Sequence, residues 1–211
     1  MKINFPKFLL LSISLILMSE VTNQILNFKE LYYNSLAEQL TNKQITKIFE
    51  FQDKWQWVSY AFLPIMVLVK TSLIASVLYM GTFFFSKKPV CFKQLWGSVL
   101  SAEFVFLLVP VFKIAWFYFF QNNYKLENIQ YFYPLSALNI VGYKGLEAWF
   151  IYPFQTLNLF ELAYWLILAY YIGKATQTTM ENGLKIVGYS YGTALLFWVV
   201  TVMFVTLTIA P

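Results

Sequence analysis

Long apolar runs separated by polar connectors dominate the pattern of this chain. The runs cover about residues 8–27, 57–85, 95–120, 158–173 and 186–209. A helix needs roughly 20 apolar residues to cross about 30 Å of hydrocarbon. Because the runs are continuous rather than alternating, they favour helices over barrel strands. The pattern predicts an all-α, polytopic integral membrane helix bundle with five transmembrane helices, forming a single membrane domain over residues 1–211.

The first run also has features of a secretory signal, since Lys2 and Lys7 precede its apolar core. No small-x-small cleavage site follows that core, and Glu20 lies inside the run. These features favour a signal-anchor helix that is retained in the mature protein.

The two long connectors, about residues 28–56 and 121–157, are predicted to be outer loops. In the first, residues recur at helical spacing on two successive faces, namely Phe28, Leu31, Tyr32, Leu36 and Leu40, then Ile45, Ile48, Phe49 and Gln52. A capping-box pattern at Thr41–Gln44 separates the faces, which predicts two short amphipathic helices. In the second connector, Leu135–Val141 is either an ordinary loop or a re-entrant half-helix, which requires burial in protein or a cavity.

Lysine density sets the predicted orientation. The N-terminal tail and the short connectors Ser86–Gln94 and Lys174–Lys185 hold seven lysines and one acid, Glu181. The long connectors hold six lysines and six acids over about twice that length. Because lysine-dense short loops stay in the cytoplasm, the N-terminus is predicted inside and Pro211 outside.

Composition removes several classes of function. The chain is 59% hydrophobic and 12% charged, with one cysteine, Cys91, and no histidine. That inventory offers no disulfide partner and no imidazole set for a metal, so no cofactor, metal ligand or catalytic residue is predicted. The net charge of +5 comes from dispersed lysines without arginine, which points to anionic lipid head groups rather than nucleic acid. The protein is therefore predicted not to be an enzyme.

Five ionisable residues lie inside the predicted runs and would be costly if they faced lipid singly. Measured from the cytoplasmic end, Glu20, Lys70 and Glu161 lie at about 20, 22 and 18 Å. Glu103 lies at about 13 Å, while Lys113 lies at about 28 Å, where its side chain can reach the interface. Lys70, Glu20, Glu161 and Glu103 therefore form a candidate intramembrane polar cluster, either lining a solute path or fixing helix contacts.

The stretch from Cys91 to Ile209 carries a family resemblance. Its features are the basic approach Phe92–Leu95, the polar start of a span at Asn158–Trp165, and Lys185–Gly192 opening the last span. It resembles bacterial members of the Ypt-interacting-protein (Yip-type) family, five-span proteins with a cytoplasmic N-terminus. The resemblance implies a non-enzymatic membrane protein that organises partners or lipids. This sequence has no Asp-Leu-Tyr-Gly-Pro type motif, so binding of Rab-type GTPases is not implied.

Two hypotheses of function follow. The first is an integral membrane scaffold or accessory subunit that contacts the lipid bilayer and other membrane proteins. The alternative is a small transporter or channel component that uses the intramembrane charges. Lysine without arginine is typical of an AT-rich bacterial genome, so the predicted location is the bacterial inner (plasma) membrane, with the chain crossing it several times.

The orientation can be tested with fused reporters that are active only in the cytoplasm. Fusions after Lys88 or Gln177 should be active, and fusions after Asn42 or Gln130 should be inactive, because the lysine-dense connectors stay inside. The reverse pattern of activity would contradict the orientation.

Overall fold

The computed structural model describes residues 4–209, and every regular element there is helical. The α-helices are α1 (Asn4–Ile25), α2 (Phe28–Ala37), α3 (Asn42–Phe85), α4 (Phe92–Glu103), α5 (Leu108–Phe119), α6 (Leu126–Tyr131), α7 (Ala137–Val141), α8 (Ala148–Thr156), α9 (Leu159–Thr176), α10 (Met180–Val187) and α11 (Thr193–Ile209). Lys2 and Pro211, which entered the orientation argument, lie outside the described residues. The all-helical fold class is confirmed.

Four helical stretches are long and apolar enough to cross a membrane. They are Asn4–Ile25, Asn42–Phe85, Phe92–Phe119 and Met180–Ile209. The predicted span at 158–173 corresponds to α9, which does not qualify as a fifth such helix within the described chain. The structure therefore shows four candidate spans of the predicted five.

Two of these stretches contain a segment with different helical geometry. A 3-10 segment at Phe104–Leu107 joins α4 to α5. Pro110 follows it and has no N–H for the Phe106 carbonyl, so regular α-helical bonding is interrupted there. A π-helical turn at Gly188–Gly192 joins α10 to α11. Such turns are rare and often lie at functional sites.

The second candidate span is much longer than a bilayer requires. At 44 residues, α3 is about 66 Å long, against about 30 Å of hydrocarbon. The sequence predicted a separate short helix over Ile45–Gln52, but these residues are the first turns of α3. No glycine or proline interrupts the chain between Thr41 and Pro64, so the helix continues once it has begun.

The predicted capping box and the first amphipathic helix are present. Gln44 Oε1 accepts a hydrogen bond from the Thr41 backbone N–H at 3.0 Å, which starts α3. The helix α2 packs beside this start, where the rings of Tyr32 and Phe49 meet edge to face at 5.9 Å. We call residues 28–56 the α2–α3 hairpin.

The closest helix packing joins α9 to α10. A Cβ atom added to Gly183 would lie 2.1 Å from the Ala169 carbonyl oxygen, and one added to Gly173 would lie 2.7 Å from the Thr179 carbonyl oxygen. Small residues at these positions let two membrane helices approach closely. Leu168 and Ile172 of α9 continue from this contact into the main core with α3 and α4.

The short helix α8 precedes α9, and both pack along the last helical stretch, Met180–Ile209. Glu161, near the start of α9, contacts Tyr191 of the π turn at 2.7 Å. Tyr152 of α8 accepts a hydrogen bond from Trp198, seven residues further along that stretch, at 2.8 Å. Together, α8 and α9 thus run against Met180–Ile209 in the opposite direction and are interrupted at 157–158.

Candidate functional site

A single buried amide joins the two helices at this interruption. The Asn158 Oδ1 atom accepts a hydrogen bond from the Glu161 N–H at 2.8 Å, which begins α9. Its Nδ2 atom donates to the carbonyls of Gln155 at 2.9 Å and Thr156 at 3.0 Å, which end α8. Asn158 is only 7% exposed, so one side chain satisfies helix-end groups on both sides of the break.

The second connector provides partners for two further backbone groups at the break. Ser136 and Asn158 form an antiparallel β-bridge. The Ala137 N–H donates to the Leu157 carbonyl at 2.8 Å, and the Leu159 N–H donates to the Leu135 carbonyl at 3.2 Å. The residues predicted as a possible re-entrant half-helix, Leu135–Val141, therefore supply this bridge and the short helix α7.

The depth of the break follows from its neighbour on the last helical stretch. Tyr152, before the break, contacts Trp198, and Glu161, after it, contacts Tyr191, so the break faces the residues between them, which include Leu195. The stretch Met180–Ile209 has 30 residues, and Leu195 lies at its middle. The interruption therefore sits about halfway along a helix that is long enough to cross a membrane.

Glu161 lies about one helical turn after the break, and two side chains donate hydrogen bonds to it. Its Oε1 atom accepts hydrogen bonds from the Tyr191 hydroxyl at 2.7 Å and from Trp165 Nε1 at 3.0 Å. Tyr191 belongs to the π turn, so the irregular part of the last helical stretch supplies the donor. Glu161 is half-buried and also lines the cavity beside the break.

Lys70 and Glu103 form an ion pair between α3 and α4. Lys70 Nζ lies 2.8 Å from Glu103 Oε2, and the same ammonium lies 4.8 Å from the ring centroid of Phe106. The Glu103 side chain is 8% exposed, whereas that of Lys70 is 53% exposed. Lys70 is therefore neither sealed among helices nor part of the cavity lining. Glu103 is the last residue of α4, directly before the 3-10 segment.

An aromatic contact chain connects the ion pair with Glu161. The rings of Phe106 and Tyr164 lie 5.1 Å apart, and those of Tyr164 and Tyr191 lie 5.5 Å apart. The Tyr164 hydroxyl and the Glu103 carboxylate are buried neighbours, and neither the hydroxyl nor Glu103 Oε1 has another hydrogen-bond partner in the described part of the chain.

Glu20 lies apart from the other members of the candidate cluster. Its Oε1 atom accepts a hydrogen bond from the Tyr60 hydroxyl at 2.7 Å, and Gln56 donates to the same hydroxyl at 2.7 Å. The structure thus brings Lys70 and Glu103 together, joins Glu161 to them through aromatic rings, and places Glu20 in a separate contact. Tyr60 lies ten residues from Lys70, about 15 Å along α3, so Glu20 is not level with Lys70 as the depth estimate predicted.

Three residues of this site, Asn158, Tyr191 and Trp165, were not predicted from the sequence to have a role. A signal for Asn158 was present, because an asparagine three residues before a glutamate, at the start of an apolar run, is typical of a helix N-terminus. Tyr191 could not be found in this way, since its position depends on a π turn that periodicity does not reveal.

A cavity of about 1010 Å³ lies beside the break. Its walls come from α5, α9, α11 and the second connector, and they include Phe112, Trp116, Phe132, Leu157, Leu162 and Leu195. Within residues 4–209, no group of three histidine, cysteine or acidic side chains is placed to hold a metal ion. The arrangement can bind a small molecule through apolar contact and one carboxylate.

Comparison with protein-family models, with curated proteins and with solved structures finds no match to this chain.

The ion pair between Lys70 and Glu103 can be tested with a double-mutant cycle. We expect Lys70→Met to destabilise the protein, because it leaves the buried Glu103 carboxylate without its cation. Adding Glu103→Gln should recover part of that loss, with a coupling of roughly 1–3 kcal/mol in unfolding by SDS in mixed micelles.

The matched control is the exposed i,i+4 pair of Glu181 and Lys185, whose atoms are also 2.8 Å apart. Neutralising either of these residues should change stability little, because solvent screens exposed pairs. If Lys70→Met and Glu103→Gln are as harmless as these controls, alone and together, the interior pair does not stabilise the bundle.

Proposed function

We propose that this chain is a small transporter or channel component of a bacterial inner membrane. It crosses the membrane five times with the N-terminus inside and the C-terminus outside, and α8 and α9 together make the fourth crossing. The observation that carries the proposal is the interruption of this crossing at 157–158, where Asn158 satisfies both helix ends and Glu161 lies one turn away.

The physical argument concerns backbone groups in lipid. Non-helical backbone at membrane depth is tolerated only where protein buries it or where it lines a cavity. Here the connector covers the break through the bridge between Ser136 and Asn158, and both of these residues line the cavity. Interrupted membrane helices with half-helix ends near the midplane are the usual form of solute sites in transporters.

The charges support the same proposal. Glu161 provides a carboxylate at the cavity, and the aromatic contact chain joins it to Lys70 and Glu103. Ionisable groups within membrane segments most often mark solute, ion or proton paths. The proposed role involves binding and passage and no bond chemistry, so the chain is proposed not to be an enzyme and to need no cofactor.

A scaffold or accessory subunit is the second candidate, favoured by the α2–α3 hairpin. This hairpin extends beyond the length that a bilayer needs, and its exposed aromatic residues include Tyr33, Phe51 and Trp55. The resemblance to the Ypt-interacting-protein family would imply the same role. The partners would be the lipid bilayer and other membrane proteins, without nucleic acid.

Water access to the break separates the two candidates. In a Cys91→Ser background, which removes the one native thiol, we compare Leu157→Cys with Leu196→Cys in intact membranes. Both leucines are similarly exposed, at 65% and 64%, but Leu157 lines the cavity and Leu196 does not. A membrane-impermeant thiol reagent should label Leu157→Cys about tenfold faster or more, because the reactive thiolate forms in water and not in hydrocarbon.

Equal and slow labelling at both positions would contradict transport through this site. It would mean that lipid or protein seals the break, as the scaffold hypothesis requires. Labelling in denaturing detergent, where both cysteines should react fully, controls for loss of the thiol.

A further inference from the structure

The cavity beside the helix break has the chemistry of a site for one class of ligand. Its volume of about 1010 Å³ lies at the upper end of the roughly 300–1,000 Å³ common for small-molecule pockets. The cavity is open on one side, because Leu159 and Leu162 line it and are also exposed on the surface of the protein. On a membrane-crossing helix, that surface faces the bilayer, so a molecule dissolved in lipid can reach the cavity sideways.

The walls are mainly apolar and rich in aromatic rings. The aromatic residues that line the cavity are Phe112, Trp116, Tyr131, Phe132, Tyr143 and Trp165. Aromatic faces attract organic cations through the ring quadrupole, and the attraction grows when water is excluded. These walls therefore suit a lipophilic cation better than a lipophilic anion.

The charge of the cavity also favours a cation. Glu161 is its one ionisable carboxylate or amine among the described lining residues, and no lysine contributes. The Tyr191 and Trp165 hydrogen bonds both end on Oε1 of Glu161. They leave Oε2 without a donor from the described residues, and this atom is not among the buried unpartnered ones. The carboxylate is thus fixed in place with one oxygen open to a ligand.

We propose that the cavity binds lipophilic organic cations, such as those with a quaternary centre carrying apolar substituents. Glu161 Oε2 supplies the counter-charge, Tyr191 and Trp165 hold the carboxylate, and the aromatic walls contact the substituents. This inference rests on the proposed function, because it names the class of solute that the transport site takes. Lipophilic anions are disfavoured, because the same carboxylate repels them.

The test uses two probes of the same shape and opposite charge. Tetraphenylphosphonium and tetraphenylborate are titrated onto the full chain in nanodiscs of zwitterionic lipid, with empty nanodiscs subtracted. The wild-type protein should bind tetraphenylphosphonium saturably and at least about tenfold more tightly than tetraphenylborate. Equal binding of the two ions, or no saturable binding of the cation, would overturn the proposal.

Substitution of Glu161 tests whether its carboxylate binds the cation. Glu161→Gln keeps an oxygen that can accept from Tyr191 and Trp165 but removes the charge, so affinity for tetraphenylphosphonium should fall about tenfold or more. Glu20→Gln is the matched control, because it removes another intramembrane carboxylate that lies outside the cavity, and it should change the affinity less than about twofold. Unchanged binding to Glu161→Gln would overturn the proposal.

A wall variant keeps the test decisive if Glu161→Gln fails to fold. Leu195→Trp adds bulk to the cavity wall without touching a charge, so it should weaken binding of the cation at least severalfold. Unchanged affinity in that variant would place the cation elsewhere and overturn the proposal. If the cavity binds the cation but Leu157→Cys is not labelled from water, transport is contradicted and the cation site stands. If Leu157→Cys is labelled but the cation does not bind, the cation site is contradicted and transport stands.

Discussion

The hydrogen-bonding requirement of the backbone at the break between α8 and α9 is the constraint on which the rest of the site depends. Hydrocarbon offers no partners for free N–H and carbonyl groups, so a helix cannot end within a membrane without protein substitutes. The Asn158 side chain and the bridge to Ser136 provide these substitutes. Once the chain is interrupted there, Glu161 can begin a new helix beside a cavity.

Two of the four charged residues of the candidate cluster, Glu103 and Glu161, lie where a helix ends or begins. Glu103 ends α4 directly before the 3-10 segment, and Glu161 is in the first turn of α9. The donor to Glu161, Tyr191, lies in the π turn. Irregular segments free backbone groups and change the direction of side chains, so they allow polar groups to gather inside an apolar bundle. The same departures link the ion pair on α3 and α4 to the cavity wall.

The sequence predicted the helices better than the connections between them. Apolar runs of about 20 residues indicated the long helices, and the pattern at Thr41–Gln44 marked the start of α3, because both signals are local. Asn158 carried the local signal of a helix start, but the presence of α8 directly before it was not predicted, because composition alone does not distinguish a loop from a short helix that precedes another. The contact of Glu20 with Tyr60 was not predicted, because depths counted from the assumed ends of separate runs do not give the register between two helices.

The stability of Asn158→Leu in bicelles tests most directly whether one buried amide maintains the break. If Asn158 holds the two helix ends, leucine leaves the Gln155 carbonyl and the Glu161 N–H without a partner, whereas the Thr156 carbonyl keeps the backbone N–H of residue 158. The free energy of unfolding should therefore fall by about 2 kcal/mol or more. Asn182→Leu, on the exposed side of α10, should change it by less than about 0.5 kcal/mol. A change in Asn158→Leu as small as in this control would contradict the central claim, because α8 and α9 would then meet equally well without the amide.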